Sequence, residues 1–104
     1  MTAQTAIRQM TSRIAKRFKP DKIVLFGSHA RGAAGPDSDV DLLVIMPVNG
    51  SRRELATSID MSLVGVNLPA DVIVMSPDDI KRNRRQIGTV VCSAMREGKV
   101  VYAS

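Results

Sequence analysis

The sequence predicts an α/β fold: a small central sheet of about four strands with helices packed against it. Three observations carry this expectation. Short apolar runs alternate along the chain with segments of helical period. Proline and glycine punctuate the junctions, at Pro20, Gly27, Gly35-Pro36, Gly65 and Gly98. One run, Leu42 to Ile45, is apolar on both faces, as befits a central strand covered on both sides. The order of elements alone does not fix the strand directions.

Taken in order, Ile7, Met10, Ile14 and Phe18 recur at steps of three and four, marking one face of a first helix that Pro20 stops. Lys22 to Phe26 reads as a buried strand. Gly27 to Gly32 reads as a tight turn entering a short helix, and Ala33 to Ser38 as a loop. Asp39 to Met46 is the second strand. Ser51 to Glu54 has the capping-box pattern, with Leu55, Ile59 and Leu63 on one helical face and Gly65 at its end. Asp71 to Met75 is a third strand. Ser76 caps a further helix with Pro77 at its first position. Ile87, Val90, Val91, Ala94 and Met95 form that helix's apolar stripe, and Gly98 terminates it. Lys99 to Tyr102 is a last short strand.

The 104 residues suit one domain spanning 1–104, long enough to bury a core without disulfides. Phe18, Phe26 and Tyr102 are the only aromatics, which disfavours a single-strand nucleic-acid platform. The net charge of +5 fits either an arginine-rich solvated surface or a partner bearing phosphates or acidic patches. The lone Cys92 excludes an internal disulfide and suits a reducing compartment. No apolar run reaches transmembrane length and the N-terminus lacks a signal-peptide core, so a cytoplasmic location is expected.

Asp39-Val40-Asp41 is the first candidate for chemistry. Residues two apart on a strand share a face, with Cα atoms about 6.6 Å apart, so two carboxylates can converge on a hard cation such as Mg²⁺. Alone, an Asp-x-Asp is more often a polar strand entrance. Here Asp41 sits where the strand enters the core, and an unpaired carboxylate there is costly without a cation. Gly27-Ser28 follows the first strand directly. Glycine permits close backbone approach, and free amides at a helix start favour phosphate. An ordinary turn with Ser28 as cap explains the pair equally simply. Asp71 begins the third strand. Beside the Asp39–Asp41 strand it would complete a carboxylate cluster, able to act as general base or hold a second metal; otherwise it is a solvated strand end.

Phe26-Gly27-Ser28, a loop of 10 residues, then Asp39-Val40-Asp41-Leu42 resembles the hallmark of the DNA polymerase β-like nucleotidyltransferase superfamily. The string GSHARGAAGPDSDVDLLV, with PADVIVM and MREGKVVYAS later, resembles its minimal nucleotidyltransferase (MNT) branch over nearly the whole chain. The resemblance implies a mixed sheet, that Gly27 and Ser28 contact a triphosphate and that Asp39 and Asp41 bind Mg²⁺. It implies further that Asp71 is the third catalytic carboxylate, with two Mg²⁺ ions and ATP as the nucleotide. Family members transfer a nucleoside monophosphate to a hydroxyl and release pyrophosphate, chemistry that rests on positioning and charge neutralisation. Arg31 is a candidate phosphate partner, with a surface ion pair as its alternative. Ser38 is expected to order the loop before Asp39 and to line the nucleotide site. His29 and Asp37 read as turn residues, and Asp78 and Asp79 as structural residues of a first helical turn. Lys81 to Arg85 is a basic run, ordinarily a solvated face, with docking of an acidic partner or nucleic acid as the alternative reading.

Larger superfamily members carry further domains for base and acceptor. A chain ending at Ser104 is expected to take its acceptor from another protein. For the MNT branch the resemblance implies a helical HEPN partner, with the MNT protein as antitoxin, modifying the HEPN ribonuclease toxin with AMP. Two alternatives stand beside this: a non-catalytic antitoxin that neutralises by complex formation, and a transferase acting on a small molecule or RNA.

Overall fold

A computed structural model describes the chain except residues 1, 36–37 and 84–89, with residues 90–93 described in backbone only. The elements are α1 (Ala3–Phe18), β1 (Lys22–Phe26), α2 (Ser28–Arg31), β2 (Val40–Ile45), α3 (Arg52–Met61), β3 (Ala70–Met75), α4 (Pro77–Asn83), α5 (Val90–Glu97) and β4 (Lys99–Ala103). The strands form one mixed sheet in the order β3-β2-β1-β4. β1 runs antiparallel to β2 and β4, and β2 runs parallel to β3.

The period of two along each strand divides the core into two layers. Ile23, Leu25, Val40, Leu42, Val44 and Val74 face one side, where Met10 and Ile14 of α1 and Ile59 of α3 cover them. Val24, Leu43 and Ile45 face the other, under Ile80 of α4 and Ala94 of α5. β2 is therefore buried on both faces beyond Asp41, as its unbroken apolar run requires.

The helix ends follow local chemistry. Thr2 caps α1 by accepting from the Thr5 amide, and Lys19 closes it in the left-handed conformation, with its N–H bonded to Ala15. The Ser51 hydroxyl accepts from the Glu54 amide at 3.1 Å, the hydroxyl half of the expected box. Ser51→Ala is expected to cost about 1 kcal/mol in a urea unfolding titration.

The sequence reading differs from the structure beyond Ser76, where it expects one helix. α4 and α5 approach within 8 Å between Cα atoms. In one straight helix even their nearest ends, seven residues apart, would be separated by about 10.5 Å. Two helices therefore replace the single stripe. Ile87, Arg84, Arg85 and Asp37 lie outside the described residues, as do the side chains of Val90, Val91 and Cys92.

Candidate active site

The sheet order settles where Asp71 lies. In the parallel β2–β3 ladder Asp71 is the register partner of Asp41, and Asp41 in turn faces Phe26 at the end of β1. Neighbouring strands lie about 4.8 Å apart, so the Asp41 and Asp71 side chains leave the same face side by side. The ladder begins before the strands do: the Val40 amide donates to Pro69 at 2.9 Å. That bond fixes the entry of β2 and leaves Asp39 just outside it.

The other wall is Gly27. Its φ of 75° and ψ of −154° occupy a region essentially confined to glycine. A Cβ built there would stand 2.1 Å from Asp41 Oδ2. Glycine is needed for the close approach the sequence suggested, and the group that approaches is a carboxylate of the next strand. α2 then begins at Ser28. Its first amides, those of Ser28 and His29, have no carbonyl partner within the helix by geometry.

Burial raises the Asp41 pKa, and the charges of Asp71 and then Asp39 raise it further, against smaller opposing effects of His29 and Arg31. Three carboxylates thus share one field at the mouth of the sheet. Their donor set is oxygen only, which suits hard divalent cations such as Mg²⁺. Among the described residues no three acidic, histidine or cysteine side chains already converge on a metal position. Asp39 and Asp71 are exposed, so rotation of their side chains is what convergence would require.

A pH dependence follows from Asp41. Its folded pKa is raised, so the stability linked to it is fully present below the unfolded value of 3.8 and is lost as pH rises through the folded value. In the absence of metal, Asp41→Asn is expected to melt above wild type at pH 7, with the difference closing below pH 3.8 in thermal melts.

The remaining predicted residues take up distinct places. Ser38 Oγ accepts from the Gly35 amide at 2.9 Å, which orders the loop before Asp39. Arg31 is half-exposed and pairs with Glu97 of α5 at 3.6 Å, although its charge is felt at Asp41. His29 is more than the exposed turn residue its sequence context suggests. It is half-buried, and its Nε2 lies 3.0 Å from the Ser38 carbonyl oxygen, tying α2 to the aspartate loop. No periodicity or motif signals a contact between a turn residue and a carbonyl nine positions on.

Asp79 is structural, as expected, but more heavily used than a first-turn position suggests. Its amide donates to Ser76 Oγ at 3.1 Å and its carboxylate accepts from the Ser76 amide at 3.2 Å, a reciprocal capping box. Arg52 of α3 and Arg82 pair with the same carboxylate. The Ser76 hydrogen bonds, and then the two guanidinium groups, hold the Asp79 pKa below its usual value. Its stabilising contribution is present above pH 3.8 and lost as pH falls through the depressed value. Asp79→Asn is expected to lower the melting temperature at pH 7, with the deficit shrinking in acid.

The chain is an α/β protein whose mixed sheet sets the Gly27-Ser28 turn against Asp41, with Asp71 beside Asp41 on the next strand. The nucleotidyltransferase domain family model matches residues 7–93. The chain belongs to that family. It is 33% identical over 87 residues to a Methanocaldococcus jannaschii protein named "Putative protein adenylyltransferase", a match covering 77% of this chain. The match spans only 56% of that relative's length. Among solved structures, a toxin–antitoxin crystal structure with AMP-PNP superposes with a TM-score of 0.58 at 22% identity, covering 99% of this chain and 75% of that one. The complex of tri-AMPylated Shewanella oneidensis HEPN toxin with MNT antitoxin gives 0.57 at 20% identity, covering 99% and 74%. The chain thus shares its fold with these structures, a four-stranded mixed sheet with flanking helices, as the sequence led one to expect. Among the described residues no helix is long and apolar enough to cross a membrane.

Proposed function

We propose that this chain is a Mg²⁺-dependent nucleotidyltransferase that moves AMP from ATP to a hydroxyl of a partner protein, as antitoxin to a HEPN-type toxin. The observation that carries the reading is the juxtaposition of Gly27 with Asp41, and of Asp41 with Asp71 in register. It puts a turn suited to phosphate beside the carboxylates suited to a cation. The name of the Methanocaldococcus relative supports protein adenylylation, and the two toxin–antitoxin structures support the partner class.

In this reading the Ser28 hydroxyl and the amides of Ser28 and His29 bind the β- and γ-phosphates. Gly27, with no side chain, lets the Asp41 carboxylate lie against that turn. Asp39 and Asp41 would hold Mg²⁺, which supplies neutralisation of the triphosphate charge. Asp71 accepts the proton of the attacking hydroxyl, or supports a second ion beside it. The hydroxyl oxygen forms a bond to the α-phosphorus as the bond to pyrophosphate breaks. Ser38 and His29 hold the loop that presents Asp39. The test is incubation with the partner, ATP and Mg²⁺, followed by intact-mass spectrometry. The reading requires the partner to gain the mass of at least one adenylyl group. Complex formation with no mass gain would contradict it and favour neutralisation by binding alone.

A further inference from the structure

We propose that the groove between α1 and β4 docks the acceptor: an extended, carboxylate-rich segment of the partner protein that carries the hydroxyl to be modified. This inference rests on the transferase reading above and deepens it.

The groove has a volume of about 600 Å³, within the range of pockets that enclose a ligand segment. Ile7, Leu25 and Val101 give it an apolar floor, while Arg8 and Lys99 stand on its walls. Both cations are exposed, and neither takes part in the ion pairs found among the described residues. Among the described residues no carboxylate lines the groove. Two uncompensated cations over an apolar floor complement an anionic segment with some apolar side chains.

A local irregularity builds this surface. Ile23 pairs with Tyr102 and Val24 with Val100, which leaves Val101 as an extra residue in β4. Strict alternation would send Val101 and Tyr102 to opposite faces. The bulge re-aims them, so that Lys99, Val101 and Tyr102 all line the groove. β4 is also an edge strand, so an extended segment can meet its free backbone groups.

His29 links the groove to the chemistry. It lines the groove, follows Ser28 in α2, and lies two residues from the glycine that abuts Asp41. A segment lying in the groove therefore runs towards the turn assigned to the phosphates. Single-stranded RNA fits less well. Among the described residues the groove's rings are Tyr102 and His29, both half-buried, whereas RNA platforms present exposed rings for bases to stack on.

The experiment is an NMR titration of the ¹⁵N-labelled full chain, with and without MgATP. The probes are two synthetic peptides that carry one tyrosine and one leucine, flanked by glutamates or by lysines. The glutamate peptide is expected to shift the amides of Arg8, Thr11 and Lys99 to Tyr102, and to bind about tenfold more tightly than the lysine peptide. Arg8→Glu/Lys99→Glu is expected to weaken it about tenfold while MgATP affinity is unchanged. Arg8→Gln/Lys99→Gln serves if the reversed pair does not fold. Equal affinity for the two peptides, shifts confined to α3, or tighter binding of a uridine oligonucleotide to the same amides would overturn the proposal. Absence of MgATP binding by the wild type would overturn the transferase reading, and the acceptor role with it.

Discussion

Asp41→Asn is expected to lower nucleotidyl transfer by about 10²–10³-fold while leaving the far-UV circular dichroism and the complex with the partner unchanged. Asparagine keeps the size and shape of the side chain, so the β2 register with Phe26 and Asp71 is preserved. What is lost is the negative charge at the centre of the carboxylate field. Asp71 and Asp39 would remain, but it is Asp41 whose carboxylate lies against Gly27. The absence of that charge in the metal-free protein removes a burial cost, so the inactive variant is expected to be the more stable one. Loss of transfer together with raised stability separates a functional carboxylate from a structural one, since removing a structural carboxylate costs both. Asp79→Asn supplies the contrast, because its lowered pKa gives the opposite sign. If the Asp41→Asn protein also fails to neutralise its partner while still binding it, steric blocking is excluded as the mode of action.

Gly27→Ala is the second substitution with a large expected effect. Alanine at a φ of 75° and ψ of −154° is strained whatever space surrounds it, by about 1–3 kcal/mol. Here there is no space either, because the new methyl would stand 2.1 Å from Asp41 Oδ2. Either β1 and β2 separate at Phe26 and Asp41, or the Asp41 side chain swings away from the turn. Both outcomes displace the carboxylate from the proposed phosphate cradle. Misplacement by about 1 Å at a reacting centre costs on the order of 10²-fold in rate. The measurements are the melting temperature and the initial rate of transfer at saturating MgATP. Gly32→Ala is a suitable comparison, since it also has positive φ but nothing within 4 Å of the added Cβ. It is expected to carry the backbone strain without the loss of activity.

The contrast between these two glycines shows what a sequence can and cannot disclose. Local signals read well. The period of three and four placed α1 and α3, the apolar runs placed β1, β2 and β3, and the hydroxyls at Ser51 and Ser76 marked their helix starts. Each of these depends on residues a few positions apart. The partner of Asp71 did not read, because it depends on a parallel pairing between strands joined by a whole helix. The same applies to Arg52, which reaches Asp79 across 27 positions, and to the bulge in β4, which leaves no compositional mark. Gly27 reads as a residue that lets a ligand approach the backbone; that Asp41 lies against it is a fact of tertiary structure. The single helix expected after Ser76 failed for a related reason. The stripe from Ile87 to Met95 includes no residue of α4, so its spacing could not report that α4 and α5 are separate helices.

The most direct measurement is where a divalent ion binds. Mn²⁺ can replace Mg²⁺ at oxygen-ligand sites and broadens nearby NMR signals through its unpaired electrons. Titration of the ¹⁵N-labelled chain with substoichiometric Mn²⁺ in the presence of ATP is expected to erase first the amides of Gly27, Ser28, Asp39 to Asp41 and Asp71. The Asp41→Asn protein should need far more Mn²⁺ for the same effect. Broadening centred instead on Asp78 and Asp79, or spread evenly over the acidic surface in both proteins, would contradict the assignment of this sheet end as the nucleotide and metal site.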